Sequence, residues 1–144
     1  MKIVFRRNPE AKEIRVLVEA QERTAEVEAL IRRLEPAGKL KAYDERGEIL
    51  LDMDEVIRIY TQQRRVLVDS THGSFSLRTR LYELEEKLDA AEFVRISNSE
   101  IVNRRYILRL DFSLTGTIRL CLKGGTETYT SRRYVSRIRR MFES

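Results

Sequence analysis

The chain has 144 residues, which is enough for one domain with a single core, and its 42% hydrophobic and 35% charged residues are typical of a globular protein. With one cysteine an intrachain disulfide is impossible, and with one histidine a His-based catalytic triad or a metal site is not expected. The sequence also has no glycine motif for phosphate binding. No apolar run approaches the roughly 20 residues of a membrane-spanning helix and no signal-peptide core is present, so the sequence predicts a cytoplasmic binding protein without cofactor, metal or small-molecule substrate.

The first 38 residues predict a small β-β-α appendage. Residues 2–6 predict a short strand, and residues 13–19 predict a second strand with Ile14, Val16 and Val18 on one face, so the two could pair. Thr24 is a candidate N-cap for the helix that follows, and Pro36 is expected to stop it. The apolar residues at helical spacing between them are Val27, Leu30, Ile31 and Leu34. We expect this appendage to provide a dimer contact or a partner contact.

Residues 39–144 predict the main domain, which is mainly antiparallel β with two short helices. The predicted strands are 40–43, 48–51, 56–61, 66–69, 74–77, 93–96, 106–112, 118–122 and 126–130. The strands 106–112 and 118–122 form a hairpin around a turn at Leu114–Gly116. In that hairpin one face of the first strand is expected to carry Tyr106, Leu108, Leu110 and Phe112. The fold class is therefore α+β with an antiparallel sheet.

Two helices are expected in this domain. Leucines at spacings of four, three and four predict an amphipathic helix, and they are Leu77, Leu81, Leu84 and Leu88. Ser131 is a candidate cap for a terminal helix. The apolar stripe of that helix consists of Tyr134, Val135, Ile138, Met141 and Phe142.

Positive charge is concentrated in the last third of the chain. Residues 101–144 contain ten Lys or Arg and three Asp or Glu, a net charge of +7, whereas residues 1–100 carry a net charge of −2. This uneven distribution indicates a surface that faces a polyanion.

The terminal helix begins with Arg132 and Arg133, where negative charge is normally favoured. A DNA phosphate at this position would be attracted both by the backbone amides and by the two guanidinium groups. The alternative is that both side chains simply extend away from the dipole into water.

Two polar segments add candidate base-reading side chains. In the cluster Ser97–Ser99, the amide of Asn98 is suited to contact adenine. The turn Gln62–Arg65 is suited to read guanine through an arginine or adenine through a glutamine. The alternatives are ordinary turns whose side chains bond their own backbone or water. Asn103, beside a predicted strand, is expected to be structural.

Two separated motifs resemble the LytTR family of DNA-binding domains, the output module of LytR/AlgR/AgrA-type bacterial transcription regulators. The motifs are Phe-Val-Arg-Ile-Ser-Asn-Ser-Glu-Ile-Val-Asn at 93–103 and Tyr-Thr-Ser-Arg-Arg-Tyr-Val at 129–135. They follow the leucine helix in the order found in the family, and the resemblance runs from about residue 51 to residue 142.

The resemblance implies an elongated antiparallel β fold that reads double-stranded DNA with loops laid into successive major grooves. It also implies a homodimer on repeated half-sites and a role in transcription regulation. Carried over by position, the DNA-contacting residues are Arg64, Arg65, Asn98, Arg132 and Arg133.

Residues 1–38 lack the pattern of a phosphoacceptor receiver domain, so the chain is similar to stand-alone LytTR regulators. That similarity implies a small membrane protein as a restraining partner. The rival interpretation is a protein-interaction module whose basic face docks an acidic partner or the anionic membrane surface. An enzyme is not expected, because the acids Asp52, Asp54 and Glu55 have no partner base and are typical of a turn.

Overall fold

The structure, a computed structural model, describes residues 1–34, 38–112 and 116–142. The chain divides into two units, Met1–Pro36 and Ala37–Ser144. Among the described residues, every strand lies in the second unit.

The first unit contains helix α1, Ala25–Leu34. Thr24 caps it as predicted, because its Oγ1 accepts a hydrogen bond from the Val27 amide at 3.3 Å and its carbonyl accepts one from the Glu28 amide at 3.0 Å. Glu26 and Glu28 in the first turn complement the helix dipole. Pro36, the predicted stop, lies outside the described residues.

The two predicted strands of this unit are wrong. Residues 2–6 and 13–19 form no strand, so the β-β part of the predicted β-β-α appendage is absent. An isolated two-stranded hairpin is marginal in water unless another layer covers one face. No side chain described within residues 1–34 is buried, so such a layer is missing within the unit.

The second unit is built on a seven-stranded antiparallel sheet. Its strands are β1 (Lys39–Asp44), β2 (Gly47–Asp52), β3 (Val56–Gln62), β4 (Arg65–Ser70), β5 (Gly73–Leu77), β6 (Phe93–Ser97) and β7 (Glu100–Asn103). Their order across the sheet is β2-β1-β5-β4-β3-β7-β6, and all neighbours are antiparallel. Strand β7 was not predicted, because all four of its residues are buried and it shows no alternation.

A second sheet has three strands, β8 (Ile107–Phe112), β9 (Ile118–Leu122) and β10 (Glu127–Tyr129), in the order β10-β9-β8. The predicted hairpin of β8 and β9 is present, although its turn at 113–115 lies outside the described residues. The predicted face of β8 is wrong, because a bulge between Ile107 and Arg109 shifts the register. Leu108 is therefore exposed, and Tyr106 lies in a 3₁₀ helix before the strand. Phe112, the last residue of β8, is also exposed, although it shares a face with the partly buried Leu110.

Helix α2, Leu81–Lys87, lies between β5 and β6. The prediction that Leu77 belongs to this helix is wrong, because Leu77 pairs with Val66 at the end of β5. Helix α3, Val135–Phe142, follows a 3₁₀ helix at Arg132–Tyr134. Ser131 occupies the N-cap position of that 3₁₀ helix, but its side chain makes no capping hydrogen bond.

Two apolar clusters fill the second unit. The first joins the seven-stranded sheet to α2 and contains Ala42, Leu51, Val56, Ile59, Val68, Leu77, Leu81, Leu84, Phe93 and Ile101. The second joins β6, β7, β9 and α3 and contains Val94, Ile96, Val102, Ile118, Leu120, Leu122 and Ile138. Strands β6 and β7 contribute to both clusters, so their hairpin is buried on its two faces. This hairpin carries Asn98 at its turn.

Candidate nucleic-acid interface

Two turns project from the same end of the seven-stranded sheet. Strands β3 and β7 are antiparallel neighbours, with Tyr60 opposite Glu100, and the Thr61 amide donates to the Ser99 carbonyl at 2.8 Å. Strand β3 ends and strand β7 begins next to this pair of residues, so the β3–β4 turn at 63–64 and the β6–β7 turn at 98–99 lie at the same end of the sheet.

The start of the terminal helix lies against the second of these turns. The Ser131 amide donates to the Ile96 carbonyl at 2.8 Å, and the Tyr134 hydroxyl donates to Oδ1 of Asn98 at 2.9 Å. Arg132 and Arg133 lie between these two contacts in sequence. We call the exposed set Gln63, Arg64, Asn98, Ser99, Arg132 and Arg133 the tip surface.

The β3–β4 turn has an unusual backbone. Gln62 pairs with Arg65, and the two residues between them, Gln63 and Arg64, have φ values of 50° and 65°. Two-residue hairpins favour positive φ, but Asn and Gly normally occupy such positions because a larger side chain is strained there. Strain of this kind is concentrated at functional sites. Arg64 and Arg65 are exposed and form no ion pair with any described residue.

Arg95 fixes the backbone of the β6–β7 turn. Its Nε donates to the Ser97 carbonyl at 2.8 Å, its Nη2 to the Asn98 carbonyl at 2.6 Å, and its Nη1 to Oε2 of Glu85 at 2.6 Å. Only 11% of the Arg95 side chain is exposed. The largely buried guanidinium group therefore connects the turn to α2 through these three hydrogen bonds.

Glu85 connects this clamp to the terminal helix. Its Oε1 accepts a hydrogen bond from Nη1 of Arg137 at 2.7 Å, and the Arg137 guanidinium carbon lies 4.8 Å from the centre of the Tyr134 ring. Burial raises the pKa of Glu85, but the hydrogen bonds from Arg137 and Arg95 outweigh burial and hold that pKa below its ordinary value. A continuous series of contacts thus connects Arg137 through Glu85 and Arg95 to the Asn98 backbone.

A second polar network joins the two sheets. Glu100 is buried, its Oε1 accepts a hydrogen bond from Thr128 at 2.7 Å, and its Oε2 accepts one from Nη1 of Arg58 at 3.3 Å. Arg58 also donates to Oδ2 of Asp69 at 2.7 Å. Burial lowers the pKa of Arg58, but Asp69 and Glu100 together raise it above its ordinary value. The network fixes β10, which leads into Arg132 and Arg133, against β7.

Asn98 and Asn103 differ as the sequence predicted. Asn103 is 1% exposed, its Nδ2 donates to the Val56 carbonyl at 2.8 Å, and its Oδ1 accepts from the Arg105 amide at 3.0 Å, so it is structural. Asn98 is exposed. The bond from Tyr134 leaves Asn98 one lone pair on Oδ1 and both donors of Nδ2 for a ligand.

The structure brings Arg64, Asn98, Arg132 and Arg133 to the tip surface and places Arg65 at its margin, where β4 begins. Sequence reasoning did not single out Glu85, Arg95 or Tyr134 as site residues. Arg95 carried a signal, because a charged residue within the apolar strand Phe93–Ser97 needs a partner.

Within the described ranges, no helix is both long and apolar enough to cross a membrane. The same residues contain no group of three or more His, Cys, Asp or Glu side chains that could hold a metal ion.

Comparison with known proteins decides the family. The family model described as the LytTr DNA-binding domain matches residues 46–143. The chain belongs to the LytTR family. The resemblance seen in the two sequence motifs is thereby confirmed.

Relatives and a solved structure agree with this LytTR assignment. A protein described as an uncharacterized HTH-type transcriptional regulator from Staphylococcus aureus (strain NCTC 8325 / PS 47) is 37% identical over 106 residues, which are 74% of this chain and 71% of that protein. A protein with the same description from strain MRSA252 is 36% identical over 106 residues. A solved LytTr DNA-binding domain from Bacillus cereus superimposes with a TM-score of 0.71 at 20% identity and covers 74% of this chain and 98% of that one. The mainly antiparallel LytTR fold is confirmed.

Proposed function

We propose that this LytTR protein is a transcription regulator that binds double-stranded DNA sequence-specifically through its tip surface. The observation that carries the proposal is the convergence of two strand turns and a helix start at one end of the second unit. Arg64, Arg132 and Arg133 at this end form no ion pair with any described residue. Their charge is available to phosphates and base edges.

Each part of the tip surface suits a different contact. Arg64 and Arg133 are proposed to donate to guanine in successive major grooves, and Asn98 to contact a base edge beside Arg133. Arg132 is proposed to bind a phosphate at the helix start, with Arg65 contacting the backbone near Arg64. Arg137 instead serves as a support, since it pairs with Glu85.

The proposal includes two copies on DNA. Repeated half-sites would be read by a homodimer, and a small membrane protein would act as the restraining partner. A single LytTR unit offers only three short reading segments, so a second copy would extend the read sequence. Binding of an acidic protein or membrane by the basic surface is the competing outcome of the test below.

The test is selection of bound DNA from a random pool with the purified full chain, followed by competition between the selected and scrambled sequences. We expect Arg133→Ala and Asn98→Ala each to reduce discrimination by about 1–3 kcal/mol. Affinity should fall with salt at a log-log slope of about −0.9 per phosphate, or roughly −5 for six contacts.

Arg105→Ala is the matched control. Arg105 is an exposed arginine that follows the end of β7, and because β7 begins at the tip surface, Arg105 lies at the other end of the sheet. Arg105→Ala should leave discrimination unchanged. A chain that selects no sequence, or an Arg133→Ala variant that weakens selected and scrambled DNA equally, would refute base reading by the tip surface.

A further inference from the structure

The first unit lacks a core of its own. No side chain described within residues 1–34 is buried. The exposed large apolar residues of the unit's first half are Met1, Ile3, Val4, Phe5, Ile14, Val16 and Leu17. The backbone around them forms no ladder of hydrogen bonds. Apolar exposure on this scale marks an interaction surface, and unpaired backbone adds a requirement for hydrogen-bond partners.

The sequence of the segment fits strand pairing with a partner. Ile14, Val16 and Val18 alternate with Arg15, Leu17 and Glu19, which is the pattern of a strand with one apolar face. One copy supplies at most two such strands, and helix α1 buries none of their side chains, so within one copy they lack the third strand or packed helix that a stable pair needs. Two copies supply four strands and two helices.

The charge of the unit favours a second copy as its partner. Residues 1–36 contain eight Lys or Arg and seven Asp or Glu, a net charge of +1. A nearly neutral, mixed segment does not repel itself, whereas a surface that docks an anionic membrane or an acidic protein carries a positive excess. The charges also select a pairing register.

We propose that residues 1–34 are the homodimer contact and that residues 13–19 of two copies pair antiparallel about Leu17. This two-fold pairing sets Arg15 opposite Glu19 and Val16 opposite Val18. Opposite charges across a strand pair stabilise it. Pairing about Val16 would instead oppose Glu13 to Glu19, and like charges in that position destabilise a sheet.

The inference deepens the proposed function, since a dimer through the first unit supplies two LytTR units for repeated half-sites, but it is tested without DNA. Sedimentation equilibrium of the full chain should give a dimer. Leu17→Glu should give a monomer, because it sets two like charges opposite each other at the two-fold axis. Leu50→Glu, at an exposed leucine of β2, is the matched control and should remain a dimer.

Charge exchange tests the register. Arg15→Glu and Glu19→Arg should each weaken the dimer roughly 3- to 30-fold, since each opposes like charges in two symmetry-related pairs, and the double variant should recover. Circular dichroism and binding of a single half-site report whether the second unit stays folded. A monomeric wild-type chain, which would leave another protein as the partner, or a Leu17→Glu dimer would overturn the proposal. A double variant as weak as the single ones would overturn the pairing about Leu17.

Discussion

The Tyr134 hydroxyl donates a hydrogen bond to Oδ1 of Asn98, so the first turn of the terminal helix orients a side chain 36 positions earlier in the sequence. This contact determines which end of the Asn98 amide faces outward. Tyr134 is itself buried, so the orientation is set by the packing of the second unit. Testable consequences arise from this contact, from the strained backbone at Arg64 and from the two polar networks of the second unit.

Tyr134→Phe should reduce discrimination between selected and scrambled DNA by about 0.5–1.5 kcal/mol. The ring keeps its packing, but the amide of Asn98 is then free to rotate. Competition binding with the two DNA sequences is the measurement. Tyr106→Phe is the control, because the Tyr106 hydroxyl donates to the Asp54 carbonyl away from the tip surface. If both variants discriminate as the wild type does, Tyr134 does not position Asn98.

Arg64→Gly should weaken DNA binding, and it should leave the free energy of unfolding unchanged or raise it by up to about 1 kcal/mol. Glycine adopts the positive φ of this turn without strain, which offsets its larger loss of backbone entropy. Arg65→Gly removes the same charge from a strand residue and should destabilise by roughly 0.5–1 kcal/mol. Urea unfolding compares the two variants. Equal losses of stability would mean that Arg64 is not strained.

Glu85→Gln should destabilise the protein at neutral pH, and the difference from wild type should vanish in acid. The pKa of Glu85 is lowered in the folded state, so its carboxylate stabilises the fold above the ordinary pKa, and this contribution is lost as pH falls through the lowered value. Urea unfolding of both proteins from about pH 7 to about pH 3 checks the sign. Glu86→Gln, on the exposed side of α2, controls for the change of net charge. A difference that grows in acid would contradict the ion pairs.

Glu100→Ala should destabilise the protein by about 3 kcal/mol or more, because it removes a buried charge partner of Arg58 and leaves Thr128 without an acceptor. Thr128→Val should cost only about 1 kcal/mol, because Glu100 keeps its bond to Arg58. Chemical unfolding of the two variants gives the comparison. Similar costs would show that the Thr128 bond between the sheets, and not the ion pair within the larger sheet, accounts for most of the stabilisation by Glu100.

Strands with one buried face could be predicted from the sequence. Ile118, Leu120 and Leu122 of β9 alternate with partly exposed residues, and each is buried as expected. Strand β7 was missed because it is buried on both faces, and the face of β8 was wrong because no residue pattern announced the bulge after Ile107. Alternation at 13–19 was present without a strand, since periodicity specifies a surface but not the partner that covers it.

The candidate site could be predicted only at its exposed parts. Arg64, Asn98 and Arg133 were predicted by position from the family resemblance and because arginine and asparagine suit base edges, and their role in DNA binding stays a prediction. The chain of contacts from Arg137 through Glu85 to Arg95 was not found, because Arg137 and Glu85 are 52 positions apart and their pairing exists only in the folded chain.

The β6–β7 hairpin is buried on both faces while its turn is exposed, and this division bears on how such regulators diversify. In the proposed function positions 98 and 133 set target preference, and their side chains lie outside both apolar clusters, so substitutions there would change that preference at little cost in folding stability. New operator specificities would then be accessible by single exchanges, without compensating changes in the interior.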